Sequence, residues 1–235
     1  MKKNLLVSYV LLGVITLGLF GSGLGLGYSR MVDPIVAFGL FAGGMALGVV
    51  TSVAGVIDLM KNGVTNRSAI LVMGAIPACT LVYLVFESRD YPLINDVSTD
   101  LVYPPKFVDA KDAEGNAEAD FEFPQEFKPQ IEEHYADLVP EPVISSLDDA
   151  YFQALDIVNG LSGWEVTGNR IASRESFVEG TVTSTVFGFV DDFVIRISAA
   201  GSGGCVVDMR SRSREGQGDM GQNADHVRMF MGLLK

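Results

Sequence analysis

Three long apolar stretches at the start of the chain limit what it can fold into. They cover about residues 5–27, 34–59 and 68–86, and a helix needs about 20 mostly apolar residues to cross the hydrocarbon core of a membrane. The first stretch is longer than the apolar core of a signal peptide, and no small-residue cleavage pattern follows it, so we expect it to be retained. The sequence therefore predicts a transmembrane anchor of three helices over residues 1–88, with the lipid bilayer as its first partner.

Lysine and arginine residues beside these stretches predict the orientation. Lys2 and Lys3 precede the first stretch, and Lys61 and Arg67 lie between the second and the third. By the positive-inside rule, such segments stay on the cytoplasmic side. We therefore expect a multi-pass protein of the cell inner (plasma) membrane with a cytoplasmic N-terminus. Three crossings then leave the C-terminal domain periplasmic or otherwise extracytoplasmic.

Glycine pairs in the second stretch indicate close helix packing. Gly39 and Gly43, and again Gly44 and Gly48, are four positions apart, a spacing that lets helix backbones approach closely. We favour packing within the three-helix anchor, and a homodimer seam is the alternative.

Charge and composition exclude several function classes. The net charge is -12, and most of the acidic residues follow the apolar stretches, which argues against nucleic-acid binding because phosphate contacts need clustered lysine and arginine. The two cysteines and two histidines are not at metal-ligand spacing, so we expect no metal and no cofactor. Nucleophile-elbow, P-loop and dinucleotide motifs are absent from the sequence. We therefore assign no catalytic residue, and we lean towards a non-enzymatic protein while leaving catalysis open.

The rest of the chain divides into two parts. Residues 89–146 are densely acidic, with scattered prolines and little periodicity, which predicts an extended acidic linker partly packed on the domain. Residues 147–235 predict a soluble α+β domain. Its first helix follows a capping-box-like start at residues 146–149, and its last helix begins at about Asp219.

Four stretches between these helices have the alternation of strands, at residues 164–166, 173–186, 193–198 and 205–213. Consecutive strands with short links form antiparallel sheets. We predict a two-layer domain in which an antiparallel sheet carries both helices on one face.

The last strand separates two kinds of side chain. Cys205, Val207 and Met209 are predicted to face the helices, whereas the opposite face carries Asp208, Arg210, Arg212 and Arg214, with Arg196 beside them on the neighbouring strand. An arginine row can hold a carboxylate, a phosphate or an acidic partner. The alternative is a solvated sheet face with cross-strand ion pairs, such as Asp208 with Arg196.

Asp191 and Asp192 follow a Phe-Gly-Phe-Val sequence. Paired carboxylates can perform acid–base or metal chemistry, but Asp and Gly are also the residues that turns prefer. We favour a role in turn geometry for this pair.

Several motifs resemble those of the bacterial and plastid family known as domain of unknown function 1499. They are Asn-Asp-Val-Ser-Thr-Asp at 95–100, Pro-Pro-Lys-Phe at 104–107, Gly-Phe-Val-Asp-Asp at 188–192, Val-Asp-Met-Arg-Ser-Arg-Ser-Arg at 207–214 and Gly-Asp-Met-Gly-Gln-Asn-Ala at 218–224. The resemblance covers about residues 96–235. Val186 stands where an aromatic residue is usual, and Gln217 stands where a basic residue is expected, so the resemblance does not extend to an anion at that turn.

The resemblance implies a recognition surface without naming its ligand, since the family has no established reaction. It also implies that residues 96–107 pack against the arginine-bearing motif. The candidate ligand or partner surface comprises Thr99, Asp100, Arg196, Asp208, Arg210, Ser211, Arg212, Ser213, Asp219 and Asn223.

Three functions are considered at this stage, and the third, a small transporter, is disfavoured because ionisable residues stop at the ends of the apolar stretches. The first is a membrane-anchored, outward-facing interaction or assembly factor whose partner is another envelope protein. The second is an enzyme or receptor for an anionic envelope ligand held by the arginine-bearing strand.

Overall fold

The computed structural model describes residues 2–113, 115–201 and 203–234. The chain divides into two compact units. One comprises Met1–Asp90 with the turn Thr185–Gly188, and the other comprises Tyr91–Ser184 with Phe189–Lys235.

The first unit contains three long helices, as the sequence predicts. They are α1 (Lys2–Ser29), α2 (Pro34–Asn62) and α3 (Ala69–Glu87), and all three are long and apolar enough to cross a membrane. Asp33 begins α2, because its carboxylate accepts a hydrogen bond from the amide of Ile35 at 2.8 Å and Pro34 occupies the first helical turn. The chain is therefore a membrane-anchored protein.

The glycines of α2 have two different surroundings. A Cβ atom on Gly44 would overlap the backbone of Phe20 in α1, and one on Gly48 would overlap Pro77 in α3. A Cβ atom on Gly39 or Gly43 would meet no atom within 4 Å. The Gly44–Gly48 pair is therefore used for packing within the anchor, as predicted.

The second unit is built on an antiparallel sheet. Its strands are β1 (Asp96–Ser98), β2 (Glu141–Val143), β3 (Trp164–Arg170), β4 (Glu175–Thr183), β5 (Val190–Ala199) and β6 (Cys205–Ser213). The order is β1-β6-β5-β4-β3, and β2 also pairs with β6. β1 lies beside Arg210, Ser211 and Arg212, while β2 lies beside residues 205–207.

Residues 89–146, which the sequence predicts to be a partly packed acidic linker, supply two of these six strands. They also form α4 (Lys128–His134) and short 3-10 turns at Asp109–Asp112 and Gln125–Phe127.

Helices α5 (Leu147–Gly160) and α6 (Gln222–Leu234) pack with the sheet and bury one of its faces. The Ser146 hydroxyl accepts from the amide of Asp149 at 3.1 Å and so begins α5. The core between helices and sheet includes Ala154, Val158, Ile195, Ile197, Val207, Met209, Val227 and Phe230. This confirms the predicted α+β fold.

The opposite face of the sheet is covered as well. Phe107 and Ala110 bury Val194, and Phe121 and Phe177 pack against this small cluster. The hypothesis that this face is open to water is therefore wrong. The acidic segment 99–123 covers the face, because its apolar side chains supply enough buried surface to hold the segment on the sheet.

Candidate functional site

Arg210 lies in the layer between the sheet and residues 96–123. Its side chain is 1% exposed, and the guanidinium donates from Nε to Asp96 Oδ1 at 2.9 Å and from Nη2 to Asp96 Oδ2 at 2.7 Å. A third hydrogen bond reaches the carbonyl of Pro105 at 3.3 Å, and the rings of Phe107 and Phe123 flank the group. Burial raises the pKa of Asp96, although Arg210 opposes this effect. The predicted packing of residues 96–107 against the arginine motif is confirmed.

Arg196 joins β5, β6 and the loop after β1. It donates from Nη2 to Asp208 Oδ1 at 2.5 Å and to Asp100 Oδ2 at 3.0 Å. Burial raises the pKa of Asp208 to about 6, although Arg196 lowers it. The predicted ion pair between Asp208 and Arg196 is therefore present, and Asp100 completes it. The second oxygen of Asp100 also accepts from the amides of Val102 and Tyr103, which fixes the loop.

Arg214 is held by Asp192. Arg214 donates from Nη2 to Asp192 Oδ1 at 2.7 Å, and Asn116 donates from Nδ2 to Asp192 Oδ2 at 2.9 Å. Both Asp191 and Asp192 lie within β5 and are buried. The hypothesis that this pair serves turn geometry is wrong, because the turn precedes β5 and the two carboxylates point to opposite faces of the sheet, where each has a polar partner.

Arg212 differs from its neighbours on β6. It forms no ion pair among the described residues, and its Nη1 atom is buried without a hydrogen-bond partner there. The guanidinium lies 4.5 Å from the ring centroid of Phe121. Burial lowers the pKa of Arg212, while the carboxylates of Asp96 and Asp192 oppose the change. Arg212 is therefore the arginine of this strand whose hydrogen-bonding capacity is incompletely used.

The other candidate residues lie on the helix side of the sheet. Ser211 donates to Asn223 Oδ1 at 2.6 Å, and Asn223 Nδ2 donates to Ser213 Oγ at 2.9 Å and to Asp219 Oδ2 at 2.7 Å. Asp219 also accepts from the amides of Gly221 and Asn223, which fixes the start of α6. Thr99 bonds to the backbone of Met209 through its own backbone and hydroxyl. The ten candidate residues are thus divided between two sides of the sheet and do not form one surface.

A buried titratable pair lies next to this network. His226 Nδ1 is 3.7 Å from Asp191 Oδ2 and 3.4 Å from Ser211 Oγ. Burial raises the pKa of Asp191 to about 7 and lowers that of His226 to about 4. Because one ring nitrogen faces both Asp191 and Ser211, the three residues do not have the geometry of a catalytic triad, which uses both nitrogens.

Glu179 is a further buried carboxylate that sequence reasoning missed. Its side chain is fully buried and accepts from the amides of Val108, Asp109 and Ala110 at 2.9 to 3.1 Å. Arg170 donates from Nη2 to the same carboxylate at 2.8 Å. The only sequence signal is a charged residue in the middle of a strand, and that signal means burial only if the second face of the sheet is covered.

The arrangement consists mainly of internally neutralised charges. Arg196 and Arg210 pair with Asp100 and Asp96 and so hold residues 96–123 on the sheet. Arg214 pairs with Asp192, which also accepts a hydrogen bond from Asn116 of that segment. Within residues 2–113, 115–201 and 203–234, no group of three His, Cys, Asp or Glu side chains is arranged to hold a metal ion.

A protein-family model with the description "Protein of unknown function (DUF1499)" matches residues 96–234. The matched region begins at Asp96, the partner of Arg210, and includes all six strands of the sheet. No curated protein matches the chain.

Proposed function

The chain belongs to the DUF1499 family, and from that premise we propose that it is a membrane-anchored, outward-facing interaction or assembly factor of the cell envelope. The observation that carries the proposal is an exposed apolar surface on a domain whose core is already complete. Phe152 on α5 is 57% exposed and Leu233 on α6 is 53% exposed, although α5 and α6 bury most of their other apolar side chains against the sheet. Contiguous apolar surface of this kind is typical of protein contacts.

The outward placement rests on the distribution of lysine and arginine around the three spans. A cysteine introduced at Ser162, in a chain that carries Cys79→Ala, tests it. Cys205 is buried and serves as the internal negative control. We expect a membrane-impermeant maleimide to label position 162 in intact spheroplasts, and labelling only after lysis would place the domain in the cytoplasm.

The interaction role is tested by purifying the full-length protein from native membranes in mild detergent. An unrelated membrane protein with three spans, expressed at the same level, is the control. We expect at least one envelope protein to be enriched over the control in mass spectrometry. Equal eluates from both proteins would end the proposal.

A second candidate function is a receptor or enzyme for an anionic envelope ligand. The observation that favours it is the Nη1 atom of Arg212, which is buried without a hydrogen-bond partner among the described residues. Arg210 and Arg196 are committed to internal carboxylates, so their removal would test folding rather than binding. Arg212→Gln is the informative variant, since the side chain is half-buried and forms no ion pair among the described residues. We expect phosphorylated sugars or peptidoglycan fragments to raise the melting temperature of the wild type and not of Arg212→Gln. If neither protein responds, this second function is wrong.

A further inference from the structure

A groove of about 600 Å³ lies between the outward sides of α5 and α6. Apolar and acidic residues line it together, with one amide: Asp149, Phe152, Gln153, Asp156, Ile157, Gly160, Leu161 and Leu233. The lining residues of α5 recur at intervals of three and four positions, so they form one continuous side of the helix. This side is distinct from the row Ala150, Tyr151, Ala154 and Val158, which faces the core.

The groove has an apolar floor that is only partly used for packing inside the domain, since Ile157 also packs against the core. Phe152 and Leu233 are more than half exposed, and Ile157 and Leu161 are partly exposed. Burying an apolar side chain of this size away from water is favourable in free energy. A partner that inserts apolar side chains between Phe152 and Leu233 would recover part of that free energy.

The rim of the groove is negative. Asp149 and Asp156 line it, and Asp148 is exposed at the start of the same helix. None of the described residues that line the groove is basic. The groove therefore combines apolar contact with a local negative potential.

This charge pattern discriminates between occupants. A second copy of the chain would bring Asp149 and Asp156 against the same residues of its partner, and like charges across an interface are unfavourable. Anionic lipid headgroups would be repelled for the same reason. A basic segment with apolar anchors meets both features of the groove.

We propose that the α5–α6 groove binds a basic amphipathic helix of another envelope protein, with leucine or phenylalanine anchors between Phe152 and Leu233 and lysine or arginine opposite Asp149 and Asp156. Helix-in-groove recognition uses anchors at this helical spacing. The inference rests on the proposed function and specifies its partner class.

The first test uses a defined probe. The full-length protein is reconstituted in phosphatidylcholine nanodiscs, and binding of a fluorescent amphipathic helical peptide of leucine and lysine is followed by anisotropy, with empty nanodiscs as background. The double variant Phe152→Ser/Asp156→Lys alters the groove at two exposed positions. The matched control Ile171→Ser/Glu132→Lys also replaces one apolar residue with serine and one acidic residue with lysine, at exposed positions elsewhere.

We expect the groove variant to weaken peptide binding at least about tenfold, an effect of about 1.4 kcal/mol, and the control variant to bind like the wild type. A peptide with glutamate in place of lysine should bind at least about tenfold more weakly than the lysine peptide. Equal binding by wild type and groove variant, or equal binding of the two peptides, would overturn the proposal.

The second test identifies the natural occupant. A photo-crosslinking amino acid at position 152 of the full-length protein is activated in native membranes, and the crosslinked segment is mapped by mass spectrometry. A basic amphipathic segment whose crosslink is lost with Asp156→Lys supports the proposal. A crosslink to a second copy, to lipid or to an acidic segment would overturn it.

The two proposals fail in different ways. If a partner co-purifies with the wild type and remains bound to Phe152→Ser/Asp156→Lys, the groove assignment is wrong and the interaction role stands. If no partner co-purifies with the wild type, the interaction role is wrong, and the peptide measurement decides separately whether the groove binds basic helices.

Discussion

Arg210 and Asp96 form a two-point ion pair with both side chains buried, 114 positions apart in the chain. Removing one partner leaves the other charge without compensation in the interior, which typically costs about 3–5 kcal/mol. We expect Arg210→Met and Asp96→Asn each to lower the free energy of unfolding of the domain by an amount in this range. Urea unfolding in mild detergent, followed by the fluorescence of Trp164, measures the change.

The double variant Arg210→Met/Asp96→Asn provides the control for this pair. Because it leaves no unpaired charge, its loss should be smaller than the sum of the two single losses. Strictly additive losses would show that the two side chains are not coupled.

Glu179→Gln tests the carboxylate that holds the start of the covering segment. Gln keeps one acceptor oxygen but places an NH₂ group against backbone amides that now donate to Glu179. We expect a loss of roughly 2–4 kcal/mol in unfolding free energy, since hydrogen bonds to a charged group contribute about 1.5–3 kcal/mol each. Glu165→Gln, an exposed position on β3, should change stability by less than about 0.5 kcal/mol.

Asp191 should make stability depend on pH. Its pKa in the folded protein is about 7 because of burial, against 3.8 for the free group, so the folded state binds more protons than the unfolded state between these values. Stability from this residue is present at low pH and is lost as the pH rises through about 7. The variant Asp191→Asn has no carboxyl group to ionise, so it does not lose this stability as the pH rises. The unfolding free energy of the variant relative to that of the wild type should therefore increase between about pH 4 and pH 7, by at most about 1.4 kcal/mol per pH unit.

His226 acts in the opposite direction and is present in both proteins of this comparison. Its folded-state pKa is lowered to about 4 by burial, so its contribution is lost as the pH falls from about 6.5 towards 4. The quantity to compare is therefore the difference between variant and wild type at each pH. Parallel curves across the window would refute the burial effect on Asp191.

Trp164 can report the protonation of His226 directly. It is the only tryptophan in the chain, and its ring centroid lies 5.6 Å from that of His226 in an edge-to-face arrangement. A charge that appears beside the indole ring should change its emission, with a midpoint at about pH 4. His226→Gln should abolish the transition, with near-UV circular dichroism confirming that the fold is retained. A midpoint near 6.5 would mean that the imidazole is solvated.

Gly44 and Gly43 form a matched pair for testing the anchor. Gly44→Ala places a methyl group against the backbone of Phe20, whereas Gly43→Ala adds the same group where no atom lies within 4 Å. We expect Gly44→Ala to lower the melting temperature of the protein in detergent and Gly43→Ala to leave it nearly unchanged. A loss for Gly43→Ala alone would indicate that this side of α2 packs against another molecule in the micelle.

Local patterns predict part of this fold correctly. The helix Leu147–Gly160 and the strand Cys205–Ser213 have the predicted bounds, because a capping serine and strict alternation are signals contained within the segments themselves. The three anchor helices follow from length and hydropathy in the same way.

The strands β1 and β2, which the sequence does not predict, form through tertiary pairing. β1 and β2 have three residues each, too few for a periodic pattern, and they become strands only because β6 offers them a partner. The environment of the candidate site also differs from the prediction, for a related reason. Asp192 and Glu179 are buried by a covering segment distant in sequence, so their environment cannot be inferred from the neighbouring residues.

The position of β6 in the sheet has a consequence for biogenesis. β1, β2 and β5 all pair with β6, and Asp96 must await Arg210, which is synthesised 114 residues later. At about 5–20 residues per second, elongation over these 114 residues leaves β1 without its partner for several seconds. During that interval β1 and β2 present open edges to chaperones and to neighbouring nascent chains, and a chain truncated before residue 205 cannot close its sheet.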